Sequence, residues 1–173
     1  MHLHNPFQIT FYKVNIKNWI YKKSRLFDLV NWDDKDCWTD SHFSDFYRLG
    51  TDYRRPIVEI LKEEFDHLGK NLNLPLVMKS LWAQRYLSSH FMQPHNHGPT
   101  GLSFVLYADF DSTHPPTTFY SPFPCPMRGD VIEYKPDVKE GDILFFPSML
   151  LHFCEPNNSR FQRTIFSGNI IVN

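Results

Sequence analysis

Cysteine is scarce in this chain of 173 residues, and the three cysteines it has lie far apart. Cys37, Cys125 and Cys154 form no C-x-x-C pair, and an odd number cannot pair completely. This pattern argues against a disulfide framework and against a zinc knuckle, because both bring cysteines together in close pairs. We therefore expect free thiols and a reducing, cytoplasmic compartment.

Net charge is also lacking, since 18 lysine and arginine residues face 19 aspartate and glutamate residues for a formal charge of −1. Such a chain has no overall positive field that would attract nucleic acid or an anionic membrane. No apolar run approaches the ~18 residues of a membrane helix, and the N-terminal MHLHNPFQ is unlike a signal peptide. We expect a soluble protein without a nucleic-acid or membrane partner, and its oligomeric state stays open.

Aromatic residues are plentiful instead, with 16 Phe, 8 Tyr and 4 Trp, and such side chains favour strands. From residue 76 onward, short apolar runs recur at a spacing of roughly 8–12 residues with proline and glycine between them. This spacing is typical of a sandwich or small barrel and not of alternating strands and helices. The predicted strands are 76–87, 101–110, 117–120, 131–134, 142–146, 152–154 and 163–171.

The N-terminal part mixes strand and helix signals. Residues 7–14 alternate apolar and polar side chains, which predicts a half-buried strand. Asn18 is placed to cap a helix from Trp19 to about Val30. Residues 33–47 are acidic and aromatic without a sustained period, which predicts a long loop of the kind that often forms a lid or a binding segment.

A second helix is predicted to begin after Thr51 or Asp52 and to end before Gly69. Five apolar residues at helical spacing form one face, which we expect to pack against the sheet. This stripe consists of Ile57, Ile60, Leu61, Phe65 and Leu68. The chain is predicted to be mainly β with N-terminal helices (α+β), in one domain of residues 1–173. Residues 1–75 support the core and residues 76–173 form it.

The stretch QPHNHGP places His95 and His97 two residues apart. On an extended strand both side chains project to the same face and can reach one metal ion. His152 follows the buried run of GDILFFP and is the predicted third ligand, on a neighbouring strand. We expect the other histidines to lie outside the site; these are His2, His4, His42, His67, His90 and His114.

Arg163 lies eleven residues beyond His152, in a terminal strand predicted to return beside the His152 strand. A buried guanidinium is best satisfied by a carboxylate that accepts two parallel N–H groups. The residues around Arg163 supply no obvious carboxylate. A small dicarboxylic acid would fill that role.

The order H-x-H, G-D-x-x-x-F-P-x-x-x-x-H and R-x-x-x-S-x-N resembles the iron(II)- and 2-oxoglutarate-dependent oxygenases, in particular their prolyl-4-hydroxylase-like branch with members in bacteria and phages. The resemblance covers roughly residues 76–173 and implies a double-stranded β-helix, the jelly-roll or cupin-like barrel. It implies that His95, His97 and His152 hold iron(II) and that Arg163 binds the far carboxylate of 2-oxoglutarate, leaving a position for O2. Tyr86, nine residues before His95, matches a tyrosine near the cosubstrate.

The resemblance also implies an activity, in which an unknown small-molecule or protein substrate is hydroxylated while 2-oxoglutarate loses carbon dioxide to become succinate. The chain departs from the usual pattern at the middle ligand, where His97 replaces a carboxylate, and three neutral ligands leave the metal more positive. Asp109 and Asp111 are the alternative carboxylate ligands. Ser103 and Asn169 are expected to be structural.

Two other functions remain open from the sequence. Pro147, five residues before His152, also fits a cupin-like metal-binding protein without 2-oxoglutarate chemistry, although no glutamate follows the histidine pair. The third reading is a non-catalytic structural or virion module, which for a viral protein would act in the host cytoplasm. Residues 33–47 and 115–126 are the loops expected to set substrate specificity.

Overall fold

Antiparallel β-strands dominate the residues that the computed structural model describes, which are 8–48 and 54–172. The strands are β1 (Tyr12–Asn15), β2 (Phe43–Ser44), β3 (Leu76–Tyr86), β4 (Met92–His95), β5 (Leu102–Asp109), β6 (Thr117–Tyr120), β7 (Glu133–Tyr134), β8 (Asp142–Pro147), β9 (His152–Cys154) and β10 (Arg163–Val172). The helices are α1 (Trp19–Phe27), α2 (Arg54–Ile60) and α3 (Lys62–Leu72), with one turn of 3₁₀ helix at Lys35–Cys37.

The strands form two sheets. One has six strands in the order β1-β8-β5-β10-β3-β2, and the other has four in the order β4-β9-β6-β7. Each of the seven strands predicted from residue 76 onward is confirmed, with shifts of one or two residues at some ends. The two facing sheets agree with the predicted jelly roll, but they do not close into a barrel, since no pairing among the described strands joins one sheet to the other.

The centre of the six-stranded sheet is buried on both faces, which explains the long apolar runs of β5 and β8. On β5, Phe104 and Leu106 belong to the core that the sheet shares with the helices. The alternate residues Val105 and Tyr107 belong to a second core between the two sheets. Successive side chains on a strand point to opposite faces, so one strand contributes to both cores.

Helix α1 begins at Trp19 as predicted but ends at Phe27 rather than near Val30. Asn18 precedes it in the left-handed conformation, with φ 54°, and its side chain makes no capping hydrogen bond. The prediction of a side-chain cap is therefore wrong, while the helix itself is confirmed. Strand β1 is shorter than the predicted 7–14, of which residue 7 lies outside the described residues, as do Thr51 and Asp52.

The predicted apolar stripe of the second helix is buried as expected, but it spans two helices that break at Leu61. The prediction that Gly69 follows the helix is wrong, because α3 continues to Leu72 and ends on Asn73 at a left-handed φ of 53°. Gly69 lies within α3, and the chain turns back past it after the helix ends. An added Cβ at Gly69 would be 3.3 Å from the Leu74 carbonyl oxygen. None of the described helices is long and apolar enough to cross a membrane.

Gly168 in β10 is a strand position that leaves no room for a side chain. An added Cβ would lie 2.5 Å from Cε1 of Phe104 and 2.8 Å from the backbone oxygen of Ser80. We expect Gly168→Ala to destabilise the fold by about 1–3 kcal/mol through overpacking, measured as a lower midpoint of urea unfolding. In a Phe104→Leu background the added penalty should shrink, because the ring that clashes has been removed. Equal penalties in both backgrounds would contradict this packing.

Candidate metal centre

Strand pairing brings the first and last predicted ligands together. His95, at the end of β4, lies directly opposite His152 in β9. His97 follows two residues later, where its backbone N–H donates to the Ser148 carbonyl at 2.9 Å. The ring centroids of His95 and His152 are 4.4 Å apart, and the His97 ring lies 5.2 Å and 5.0 Å from them. One ligand atom from each of the three histidines lies within 4.8 Å of the others.

Hydrogen bonds fix which nitrogen of each ring is free. Nδ1 of His95 lies 2.8 Å from the carbonyl oxygen of Gln93, and Nδ1 of His152 lies 2.9 Å from that of Leu150. A carbonyl oxygen can only accept, so each Nδ1 carries the proton. The lone pair of each Nε2 is therefore available to a metal.

His97 is oriented by a polar network instead of a local carbonyl. Its Nδ1 donates to Oδ1 of Asn169 at 2.6 Å and lies 3.0 Å from the Ser103 hydroxyl. The amide of Asn169 is held in this orientation because its Nδ2 donates to Ser80 Oγ at 2.9 Å. Ser103 also contacts Ser148 at 2.9 Å. Ser103 and Asn169, expected to be only structural, thus contact a predicted ligand.

The surroundings of His97 and His152 favour their neutral forms. Burial, together with the smaller effect of nearby His95, lowers the pKa of His152 to about 3. Burial also lowers the pKa of His97, although the hydrogen bond to Asn169 partly offsets it. Neutral imidazole is the form that binds metals, so these two histidines can bind a metal ion near pH 7.

Neither alternative carboxylate approaches the metal centre. Asp109 forms an ion pair with Lys23 at 2.7 Å. Asp111 accepts hydrogen bonds from the backbone and side chain of Thr113. The potential ligand group found among the described residues consists of three histidines alone. Three imidazole nitrogens suit iron and other first-row transition metals, so these residues fit the predicted ion.

Tyr86 and Arg163 lie opposite each other where β3 pairs with β10. The Arg163 guanidinium is stacked on the Tyr86 ring, 4.3 Å from its centroid, and both side chains are fully buried. Arg163 Nη1 donates to the Pro115 carbonyl oxygen at 2.6 Å, but Nε and Nη2 have no partner in the described part of the chain. Burial raises the pKa of Tyr86, so its phenol stays protonated.

His42 is a residue that the sequence placed outside the site. Its ring also stacks on that of Tyr86, with centroids 5.1 Å apart and planes 10° apart. Burial lowers the pKa of His42 to about 4, so it is neutral. Its place in an irregular loop gave no periodic signal that could have revealed this contact.

Two spaces adjoin the histidines. The inner cavity, about 20 Å³, is bordered by all three histidines and extends toward Tyr86. The outer cleft, about 730 Å³, is bordered by His95, His97 and the loop from Asp36 to Arg48. The predicted role of residues 33–47 as a binding segment agrees with this position.

Solved structures with the same arrangement of strands place the fold. The epimerase SnoN of nogalamycin biosynthesis, described as non-heme and α-ketoglutarate-dependent, matches with a TM-score of 0.70 and 16% identity over 93% of this chain and 77% of that one. The fold is that of the 2-oxoglutarate-dependent iron oxygenases. This result confirms the fold that the sequence motifs predicted.

Two prolyl hydroxylases also share this oxygenase fold. The viral collagen prolyl hydroxylase of Paramecium bursaria Chlorella virus 1, solved with 2-oxoglutarate, matches with a TM-score of 0.61 and 13% identity over 92% of this chain and 94% of that one. A Pseudomonas putida prolyl-4-hydroxylase matches with a TM-score of 0.59 and 12% identity over 94% and 92%. No family model and no curated protein matches the chain by sequence.

The hydrogen bond from His97 to Asn169 predicts a positioning role for Asn169. We expect Asn169→Ala to weaken iron(II) binding by about 10–100-fold, because His97 loses the acceptor that fixes its tautomer. Asn169→Asp, which keeps an oxygen acceptor, should retain most of the affinity. The measurement is anaerobic competition with a chelator, with Asn71→Ala on the exposed surface of α3 as the control. Wild-type affinity in Asn169→Ala would contradict the role.

Proposed function

We propose that this protein is an iron(II)- and 2-oxoglutarate-dependent dioxygenase that hydroxylates an organic substrate while 2-oxoglutarate is decarboxylated to succinate. The observation that carries the proposal is the unpartnered edge of the buried Arg163 guanidinium. The histidine group alone would fit many metalloproteins. The combination of three histidines with a buried arginine that has unpaired N–H donors is more specific to an enzyme that binds both a metal and an anion.

The free atoms of Arg163 have the geometry of a carboxylate receptor. Nε and Nη2 lie along one edge of the planar guanidinium, so their N–H groups are parallel and fit the two oxygens of one carboxylate. The remaining Nη1 is already bound to the Pro115 carbonyl oxygen, which fixes the plane. A buried cation with unsatisfied donors is costly unless a ligand completes it.

The inner cavity is bordered by the three histidines and by Tyr86, on whose ring Arg163 stacks. The rest of its lining mixes apolar side chains with the polar side chains of Gln84, Thr117 and Ser167. Its volume of about 20 Å³ suits a single water, so we infer that 2-oxoglutarate enters as the flexible Met92 side chain moves aside. The apolar members of the lining, Val105, Ile165 and Met92, would then help to keep water away from the ion pair with Arg163, which strengthens that pair.

Each residue has a role that follows from its contacts. His95, His97 and His152 would hold iron through Nε2, and Asn169 would keep His97 in its binding tautomer. Tyr86 supports the guanidinium plane from one side. Iron with bound 2-oxoglutarate supplies the oxidation of a C–H bond by O2, while the protein binds, orients and excludes water.

The proteins of similar structure support this chemistry but do not identify the substrate, since they include an epimerase and two prolyl hydroxylases. A cupin-like metal protein would use the three histidines but would have no use for the free edge of Arg163. We retain as predictions the single domain over residues 1–173, the cytoplasmic location and the absence of a nucleic-acid partner.

Replacing the arginine provides the test. We expect the wild-type protein with iron(II) to develop a weak visible charge-transfer band when 2-oxoglutarate is added without oxygen. In Arg163→Met the affinity for 2-oxoglutarate should fall about 100-fold or more, because two charge-assisted hydrogen bonds are lost, while iron(II) still binds.

The matched control is Arg85→Met. Arg85 lies on the neighbouring strand, opposite Thr164, and stacks over Trp32 on the helix side of the sheet. This substitution should leave the titration unchanged. Iron binding without any 2-oxoglutarate binding in the wild type would favour the cupin-like function, and no metal binding at all would favour a structural module.

A further inference from the structure

The metal centre lies between two spaces of different character. All three histidines border the inner cavity, whereas His95 and His97 border the outer cleft. Under the proposed function the inner cavity receives 2-oxoglutarate, so the outer cleft is left for the molecule that is oxidised. Its volume of about 730 Å³ lies within the range of roughly 300–1,000 Å³ found for small-molecule sites.

One wall of the outer cleft is a row of aromatic rings that starts at a predicted ligand. The Trp82 ring lies 5.4 Å from that of His97, Phe46 meets Trp82 edge-on at 4.8 Å, and Tyr47 meets Phe46 edge-on at 4.7 Å. Trp82 is buried, whereas Phe46 is 46% exposed and Tyr47 is 88% exposed, so the row runs from the centre to the rim. Such faces bind rings through offset stacking and edge contacts.

The charged side chains at the rim satisfy one another. Arg48 Nε lies 3.1 Å from Asp34 Oδ2, and Arg48 Nη1 lies 3.2 Å from Asp36 Oδ2. Several described residues border the cleft. Among them, Arg48 is the only lysine or arginine and Asp36 is the only carboxylate. A charged substrate would lose hydration here without gaining an uncommitted counter-charge.

The sheet edge formed by β2 is already occupied. β2 is the edge strand beside β3, and Trp38 forms a bridge with Phe43 on the outer side of β2. The Thr39 N–H donates to the His42 carbonyl at 3.0 Å, which closes the turn between them. The outer backbone groups of Phe43 are therefore paired within the chain. An extended peptide that binds by adding a strand finds no free ladder at this point.

We propose that the outer cleft binds an uncharged, ring-bearing small molecule that packs its ring against Trp82 and Phe46. The further statement that this molecule is the substrate rests on the proposed oxygenase function. The aromatic row sets the class of the molecule, and its start beside His97 brings the bound ring to the metal centre.

The test uses four probes on the full-length chain in isothermal titration calorimetry. Three share one ring system and differ in charge: 2-naphthamide, 2-naphthoate and 2-naphthylmethylammonium. The fourth is a short alternating proline–alanine peptide. We expect 2-naphthamide to bind at least about tenfold more tightly than either charged probe, and the peptide not to bind measurably.

Two exposed phenylalanines provide matched variants. Phe46 lies in the loop of residues 33–47 and Phe123 in the loop of residues 115–126, the two loops predicted to set substrate specificity. Phe46→Ala should weaken 2-naphthamide binding about tenfold, whereas Phe123→Ala should not, although Phe123 is similarly exposed at 53%. Tightest binding of a charged probe, binding of the peptide in preference to 2-naphthamide, or unchanged affinity in Phe46→Ala would each overturn the inference.

The same preparation separates this inference from the oxygenase proposal. If 2-oxoglutarate binds with iron(II) while 2-naphthamide does not bind, the oxygenase proposal stands and the substrate class is overturned. If 2-naphthamide binds with dependence on Phe46 but 2-oxoglutarate does not bind, the cleft chemistry is supported and the oxygenase proposal fails.

Discussion

The pairing of β10 with both β3 and β5 is the constraint on which the rest of the site depends. β10 alternates between two buried faces, so Arg163 and Asn169 point between the sheets while Phe166 and Ile170 pack in the core shared with the helices. A register slip of one residue would exchange these sets, burying Arg163 among the helices. The apolar core therefore fixes the register, and the register places the polar site.

Charge explains how a ligand group without a carboxylate can still fit this fold. His95, His97 and His152 are neutral ligands, so a divalent ion would keep its full charge, and the buried Arg163 adds another positive charge nearby. A dianionic dicarboxylate such as 2-oxoglutarate complements both positive groups at once. In this account the three histidines bring no negative charge and 2-oxoglutarate does, so its binding and the charge balance at the metal are coupled.

The sequence predicted the parts that depend on local patterns. Period-2 alternation and proline and glycine spacing located the strands. The spacing of two residues between His95 and His97 pointed to the histidine group that the fold brings together, and its metal binding stays a prediction. The contact of His97 with Asn169 was missed because the two are 72 residues apart in sequence and meet only through strand pairing. The stacking of His42 on Tyr86 was missed for the same reason. The end of α3 was misplaced because Gly69 was taken as the residue after the helix, whereas the helix continues through it to Leu72 and ends on Asn73 in the left-handed conformation.

The most direct test is a crystal structure of the protein grown without oxygen in the presence of iron(II) and 2-oxoglutarate. The account predicts one metal ion on the Nε2 atoms of His95, His97 and His152. It also predicts one carboxylate of 2-oxoglutarate on the Nε and Nη2 edge of Arg163, with Met92 moved from its present position. A metal bound by two histidines with water in place of His97, or 2-oxoglutarate bound away from Arg163, would contradict the account.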